Sequence, residues 1–258
     1  MSVAPSALPC GVLVLVHADD LGMSPAVNEA IFGAFAEGLL RSCSVMATGP
    51  AFESAVAGRP VGLDVGVHLD LTGFPALGGA PVLAELRDAV AVRPKQAKAA
   101  LIHLARAHPR VVEAEWVAQV ERVRAAGIVP SHLDSHQHVH WLPPYWPILR
   151  AVARRTGLRR VRGVGAWRPE VGTVRGAAQR LRSLRFRVAF AGFVMTEGFA
   201  SASVARERLA QGRRSGGSLE VMVHPGNPAH TRYADELAWL RTRPWRSTDR
   251  LVSWDELG

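Results

Sequence analysis

Short apolar runs that end on charged or imidazole side chains recur along this chain, and they constrain its fold more than any other feature. Residues 11–18 are rich in Val and Leu and lead into His17, Asp19, Asp20, Gly22 and Ser24. An apolar run of this length reads as a parallel strand buried on both faces, delivering carboxylates at its C-terminal end. Ser24 is placed to cap a helix that starts at Pro25, buries Val27, Ile31, Phe32 and Phe35, and stops at Gly38. A strand at 42–47, a helix at 51–57 and a strand at 64–71 carrying His68 and Asp70 continue the alternation. Strand and helix taking turns from the start favour a parallel α/β sheet or barrel. Barrels of this kind collect their chemistry at strand C-terminal ends.

The second half follows the same rule less regularly. Helices are expected at 95–108 and 111–126, the latter with Trp116, Val120 and Val123 on one face, and further helices at 146–155, 174–190 and 204–211. Strands are expected at 158–164, displaying Arg162, at 193–199, and at 219–223, where the run ends in His224, Pro225, Gly226 and Asn227. Residues 74–92 are rich in Gly, Pro and Ala without a clear period and read as an insertion over the barrel mouth. The expected fold is α/β, a distorted parallel β/α barrel in a single domain spanning 1–258, with 74–110 and 165–200 as mouth or lid insertions.

The densest polar stretch is 131–140, which holds His132, Asp134, His136, His138 and His140. Read as a strand closed by Pro143 and Pro144, it puts all five on one face, because side chains alternate. Five such groups buried together need partners or a metal. One histidine alone is more often a satisfied core residue, and Asp19-Asp20 alone more often a turn. Together with His68 and His224, they make a site of imidazoles and carboxylates suited to a divalent ion and its water. His17, His103, His108 and His230 have no partners in these motifs and receive no role.

Composition narrows the class. Two cysteines, no apolar run approaching about 18 residues and no basic leader before the first strand suggest a cytoplasmic protein without a disulfide framework. Of the +9 net charge, 150–187 carries twelve arginines against Glu170, which leaves the rest of the chain at −2. No helix-turn-helix or stacking module accompanies that excess, so nucleic acid is not the expected partner. The helix at 174–190 sets Leu181, Leu184 and Val188 on one face among Arg175, Arg180, Arg182, Arg185 and Arg187. It either packs those leucines on the barrel, or lies on an anionic membrane or phosphate-bearing carrier; exposure decides.

Ala18-Asp19-Asp20-Leu21-Gly22, Gly66-Val67-His68-Leu69, the motif from His132 to His140, and Glu220-Val221-Met222-Val223-His224-Pro225-Gly226 together resemble the ordered motifs of the YdjC-like carbohydrate deacetylases. That family includes chitooligosaccharide and hopanoid-associated deacetylases. The resemblance runs from about residue 12 to 230. It implies a distorted β/α barrel that removes acetyl from an N-acetylated amino sugar. The sugar is expected free, oligomeric or carrier-linked, and the arginine excess at 150–187 favours an anionic or lipid-linked one. By the same resemblance Asp20, His68 and His136 match ligands of one divalent ion (Zn, Mg, Mn or Co), Asp19 the general base, and His224 the acid. Arg162 falls where related enzymes hold an arginine that orients the base. His132, His138 and His140 are left as substrate contacts or supporting groups. The competing readings are a sugar-binding or regulatory barrel without activity and a metallo-phosphoesterase; peripheral membrane contact and a homodimer are left open.

Overall fold

A computed structural model describes residues 11–164, 173–211, 217–227 and 233–257. Strand β1 (Leu13–Leu21), helix α1 (Pro25–Ala36), β2 (Ser42–Val45), α2 (Phe52–Gly58) and β3 (Asp64–Leu69) form the expected alternation. The Ser24 hydroxyl accepts from the Val27 amide at 3.2 Å, so α1 starts where its cap residue dictates. Three helices follow, α3 (Pro81–Val92), α4 (Ala97–Ala107) and α5 (Pro109–Ala125), then the short strand β4 (Leu133–Ser135), α6 (Trp146–Thr156) and α7 (Val174–Ala189). The chain ends with β5 (Gly198–Ser201), α8 (Ala202–Ala210), β6 (Ser218–Val223), α9 (Tyr233–Arg241) and β7 (Arg250–Leu251). Among the described residues no helix is long and apolar enough to cross a membrane.

All pairings are parallel, in the order β4-β3-β2-β1-β6-β5, with β7 beside the start of β1. Beyond β4, Leu133 bridges Val161, and Arg160 bridges Val194, which leads directly into β5. The curved sheet therefore comes round on itself through isolated bridges, giving a distorted barrel with one thin side. The strands expected at 158–164 and 193–199 shrink to these bridges plus β5. Ladder bonds there are split between two neighbours, the Arg162 amide bonding Leu133 and the Val161 amide bonding Val194.

Alternation along β1 sorts the barrel into two compartments. Val14, Val16 and Ala18 face outward into the large core beneath the helices, where α5 buries Val112, Trp116, Val120 and Val123. Leu15 faces inward and joins Val252, Trp254 and Leu257 in a small apolar plug. Above that plug the same face of β1 carries His17 and Asp19, and the interior turns polar. Gly66 on β3 makes room for this layer: a Cβ there would lie 2.3 Å from the His132 ring.

Two sequence expectations need correction. Residues 81–92 are helical, with Pro81 in the first turn and Leu83 and Leu86 buried; leucines three apart behind a proline carried that signal, and the surrounding Gly and Ala obscured it. Residues 131–140 are not one strand. The chain leaves β4 at His136 in a 3-10 turn with Gln137 and His138 at φ 54° and 53°. The Ser135 hydroxyl closes this turn by accepting from the His140 amide at 3.0 Å. The five polar side chains are thus divided between the barrel interior and the turn.

Candidate active site

In a regular strand Asp19 and Asp20 would point to opposite faces. Here the register between β1 and β2 shifts between Ala18 and Leu21, and Asp20 adopts φ 70°, a left-handed conformation that Asp tolerates better than most residues. A bulge of this kind re-aims side chains, and it brings both carboxylates to the mouth. Asp20 Oδ1 lies 3.3 Å from His68 Nε2 and 3.1 Å from His136 Nδ1. Its other oxygen accepts from the Asn227 side-chain Nδ2 at 2.6 Å. His68 Nδ1 meets Asp134 Oδ1 at 2.9 Å, which fixes the ring and leaves Nε2 turned toward Asp20. Burial opposes ionisation of Asp20, but hydrogen bonds from His136 and His68 hold its carboxyl well below the usual range.

Ligand atoms of Asp20, His68 and His136 all lie within 4.8 Å of one another, and so do those of two other groups, His17-His132-Asp134 and Asp19-His68-Asp134. The first group suits a cation best. Both His17 nitrogens are already engaged by the Ser42 and Ser44 hydroxyls at 3.1 and 3.2 Å. Asp19 and Asp134 already share a guanidinium, so a cation placed on them would face a fixed positive charge. His68, backed by Asp134, has the carboxylate-supported imidazole typical of metal ligands.

That guanidinium belongs to Arg162, fully buried at the thin side of the barrel. Its terminal nitrogens bond Asp19 bidentately at 2.8 and 2.6 Å, one also reaches Asp134 at 2.8 Å, and Nε donates to Glu220 at 2.7 Å. Three carboxylates around one cation cannot all ionise cheaply in a dry interior. Burial pushes Asp19 up, yet the charge and hydrogen bonds of Arg162, with His68, hold the carboxyl down at about 2. Burial also raises Glu220, which shares Arg162 more weakly, and there it prevails, leaving the group at about 7. Burial followed by Arg162 depresses His17 to about 3, so that ring stays neutral beneath the site. Asp19 is therefore an ionised carboxylate at neutral pH. His224 Nε2 stands 3.9 Å from its Oδ2, and the His224 amide is anchored on Glu236 of α9 at 2.9 Å.

The six residues Asp19, Asp20, His68, His136, Arg162 and His224 thus converge on one mouth. The other three predicted site residues lie elsewhere. His132 is fully buried below the cluster, stacked on Trp254 with ring centroids 4.7 Å apart. His140 is fully buried against Ser135. His138 is partly buried and stacks on Trp141 at 4.1 Å, with the Phe199 edge 5.5 Å away. Sequence reasoning missed His17, Glu220 and Asn227 as members of the site, and it placed Asp134 in the polar cluster without giving it a role. Alternation held the signal for all but Asn227, since His17 is two residues before Asp19, Asp134 two before His136, and Glu220 four before His224. Asn227 follows the strand in a turn, where no period applies.

The chain has relatives among known proteins. The sequence pattern of the family described as YdjC-like protein matches residues 13–251. Over 148 residues the chain is 35% identical to carbohydrate deacetylase 1 of Listeria innocua, covering 56% of this chain and 58% of that protein. Over 157 residues it is 36% identical to a carbohydrate deacetylase of Geobacillus stearothermophilus, covering 60% of this chain and 61% of that protein. The matched stretch therefore spans less than two thirds of either relative. A crystal structure from Enterococcus faecalis V583, named for cellobiose-phosphate cleavage, superposes with a TM-score of 0.66 at 18% identity, covering 96% of this chain and 99% of that one. At that identity the likeness speaks for the fold.

Proposed function

Because the chain belongs to the YdjC-like family, we propose that it is a divalent-metal-dependent hydrolase that removes acetyl from an N-acetylated amino sugar. The observation that carries the reading is the division of labour between two consecutive carboxylates. Asp20 faces two imidazoles at 3.3 and 3.1 Å, while Asp19 is turned onto Arg162 and stands 3.9 Å from His224. The relatives named carbohydrate deacetylases support the substrate class.

Asp20, His68 and His136 would hold one ion, of Zn, Mg, Mn or Co type given mixed His/Asp ligation. With such an ion bound, the chemistry gained is polarisation of the amide carbonyl and a lowered pKa for water at the site. Asp19, ionised and oriented by the Arg162 fork, takes the proton from the attacking water as its oxygen bonds the carbonyl carbon. His224, 3.9 Å from Asp19, gives a proton to the amide nitrogen as the C–N bond breaks, so acetate and a free amine leave. His17, Asp134 and Glu220 touch no substrate; they fix the rings and the guanidinium from below. His132 and His140 join them as supporting groups, since both are buried, whereas His138 with Trp141 and Phe199 offers a ring-sized aromatic wall beside the mouth. Residues 74–110 and 173–200 are read as the rim. The first is tied down where Glu115 accepts from the Leu77 and Gly78 amides; the second brings Arg182 over Trp141, and the stretch 165–172 expected with it lies outside the described residues.

Acetate release from N-acetylglucosamine oligomers, beside phosphate release from generic esters, tests the reading, with metal content measured on the same samples. Asp19→Asn should keep its metal and lose roughly 10²- to 10⁴-fold in turnover. Phosphate release without acetate release would point to the phosphoesterase reading. Sugar binding with neither product would point to an inactive barrel.

A further inference from the structure

Helix α7 is held to the barrel by one face only. Phe186 and Phe190 are buried, Phe186 against Trp146 at 5.5 Å, and Arg187 donates to the carbonyls of Thr196 and Glu197. The opposite face carries Val174, Leu181, Leu184 and Val188, which are 88, 57, 60 and 69% exposed. Seven large hydrophobics are exposed among the described residues, and these four make the one cluster. At 3.6 residues per turn they fall in a stripe roughly 80° wide. Arg180 borders one side of the stripe and Arg185 the other. The packing alternative for Leu181 and Leu184, open at the level of sequence, is therefore excluded.

Beside this stripe, α6 and α7 enclose a groove of about 520 Å³ lined by Arg150, Arg154 and Arg185 together with Trp146 and Pro143. An adjoining hollow adds Arg159 and shares Arg150 and Arg154. Among the described residues no carboxylate lies in ion-pair contact with any of these four arginines, and the buried Arg150 Nε has no hydrogen-bond partner. Neighbouring arginines do pair: Arg155 with Glu113 at 2.9 Å and Arg122 with Glu53 at 3.0 Å. Arg150 and Arg154 are one turn apart on α6, where like charges repel. An unpaired cationic groove of this kind calls for an external anion.

We propose that the α6–α7 face docks on an anionic phospholipid surface, with Val174, Leu181, Leu184 and Val188 entering the headgroup–acyl boundary and Arg150, Arg154 and Arg185 receiving lipid phosphates. An apolar stripe flanked by arginines whose stems snorkel is the form of an interfacial helix. A second copy of this chain is disfavoured, because a two-fold contact would set the arginine groove against itself. Nucleic acid and free phosphate would engage the arginines but leave the stripe unused. The docked face borders the mouth, since the Arg182 guanidinium lies 5.7 Å over Trp141, which stacks on His138. A bilayer bound here would present its own headgroups at the edge of the site. The docking itself does not depend on which reaction the site performs.

Sedimentation of the full chain with vesicles of phosphatidylcholine, alone or mixed with phosphatidylglycerol, tests this. The protein should bind the mixed vesicles and not the neutral ones. Changing Leu181, Leu184 and Val188 to Gln should lower that binding by roughly tenfold or more at any salt concentration. Changing Arg150, Arg154 and Arg185 to Gln should lower it on the order of 100-fold at low salt. Arg185→Gln alone serves if the triple variant loses its circular dichroism spectrum. Absence of binding to mixed vesicles overturns the proposal. So does binding that inorganic phosphate or RNA displaces but the leucine changes do not weaken, which would mark an ion or nucleic-acid site. A dimer in analytical ultracentrifugation that the leucine changes dissociate would reassign the face to self-association and also overturn it.

Discussion

Arg162→Met should destabilise the protein in a way that depends on pH. The substitution keeps an apolar stem but removes the one cation shared by Asp19, Asp134 and Glu220, all buried and bonded to it at 2.6 to 2.8 Å. Breaking a buried ion pair by deleting one partner costs about 3–5 kcal/mol, because the carboxylates left behind lose their shared counter-ion without regaining water. At roughly 2–4 °C per kcal/mol for a chain near this size, the melting temperature should fall by roughly 6–20 °C at pH 7. The sign of the pH effect follows from Asp19. Its folded-state carboxyl sits at about 2, below the ordinary 3.8, so it contributes stability that is present above 3.8 and lost as pH falls through 2. Without Arg162, burial is left largely unopposed at Asp19 and Glu220, so ionising them costs more and the variant loses stability as pH rises. The difference between the two proteins should therefore grow from pH 4 to pH 7, as the carboxyls that have lost Arg162 ionise at a cost. Chemical denaturation of metal-free protein at both values measures it. A loss that is equal at the two pH values, or under about 1 kcal/mol at pH 7, would refute the charge argument and leave Arg162 a packing residue. Arg162→Lys restores the charge without the fork, so it should recover stability more fully than activity.

Three further outcomes are expected. Asp134→Asn leaves His68 without its carboxylate at 2.9 Å and should weaken metal binding about 10- to 100-fold, measured by competition with a chromophoric chelator; unchanged affinity would mean that His68 is not a ligand. Glu220 stands at about 7 in the fold against an ordinary 4.5, so wild-type stability should decline as pH rises between those values. Glu220→Gln should flatten that decline and gain up to about 3 kcal/mol at pH 8, and persistence of the slope in denaturation curves would assign it to another group. Gly66→Ala puts a Cβ 2.3 Å from the His132 ring, which is held between His17 and Trp254, and should cost about 1–3 kcal/mol; a neutral effect on urea unfolding would show that the ring can move.

Much of the barrel was legible because its determinants are local. The Val- and Leu-rich run before Asp19, the Ser24 cap with Pro25, and the Trp116, Val120, Val123 spacing each depend on neighbours within a few residues, and β1, α1 and α5 formed where those signals stood. The ends of β1, β3 and β6 were legible for the same reason, and with them Asp19, Asp20, His68 and His224. The sequence by itself thus determined an alternating parallel architecture and which polar side chains arrive at the strand ends. Only the tertiary structure decided how they are shared out. Whether Asp20 turns to the same side as Asp19 depends on a bulge against β2 and on Asn227, 207 residues away in the chain. The division of 131–140 between strand and turn rests on backbone dihedrals at Gln137 and His138 that no strand period encodes. The balance that leaves Asp19 ionised and Glu220 near 7 belongs to one guanidinium reached from three strands, because in a low-dielectric interior the energy of each charge depends on every other charge within a few ångströms, whatever their separation in sequence.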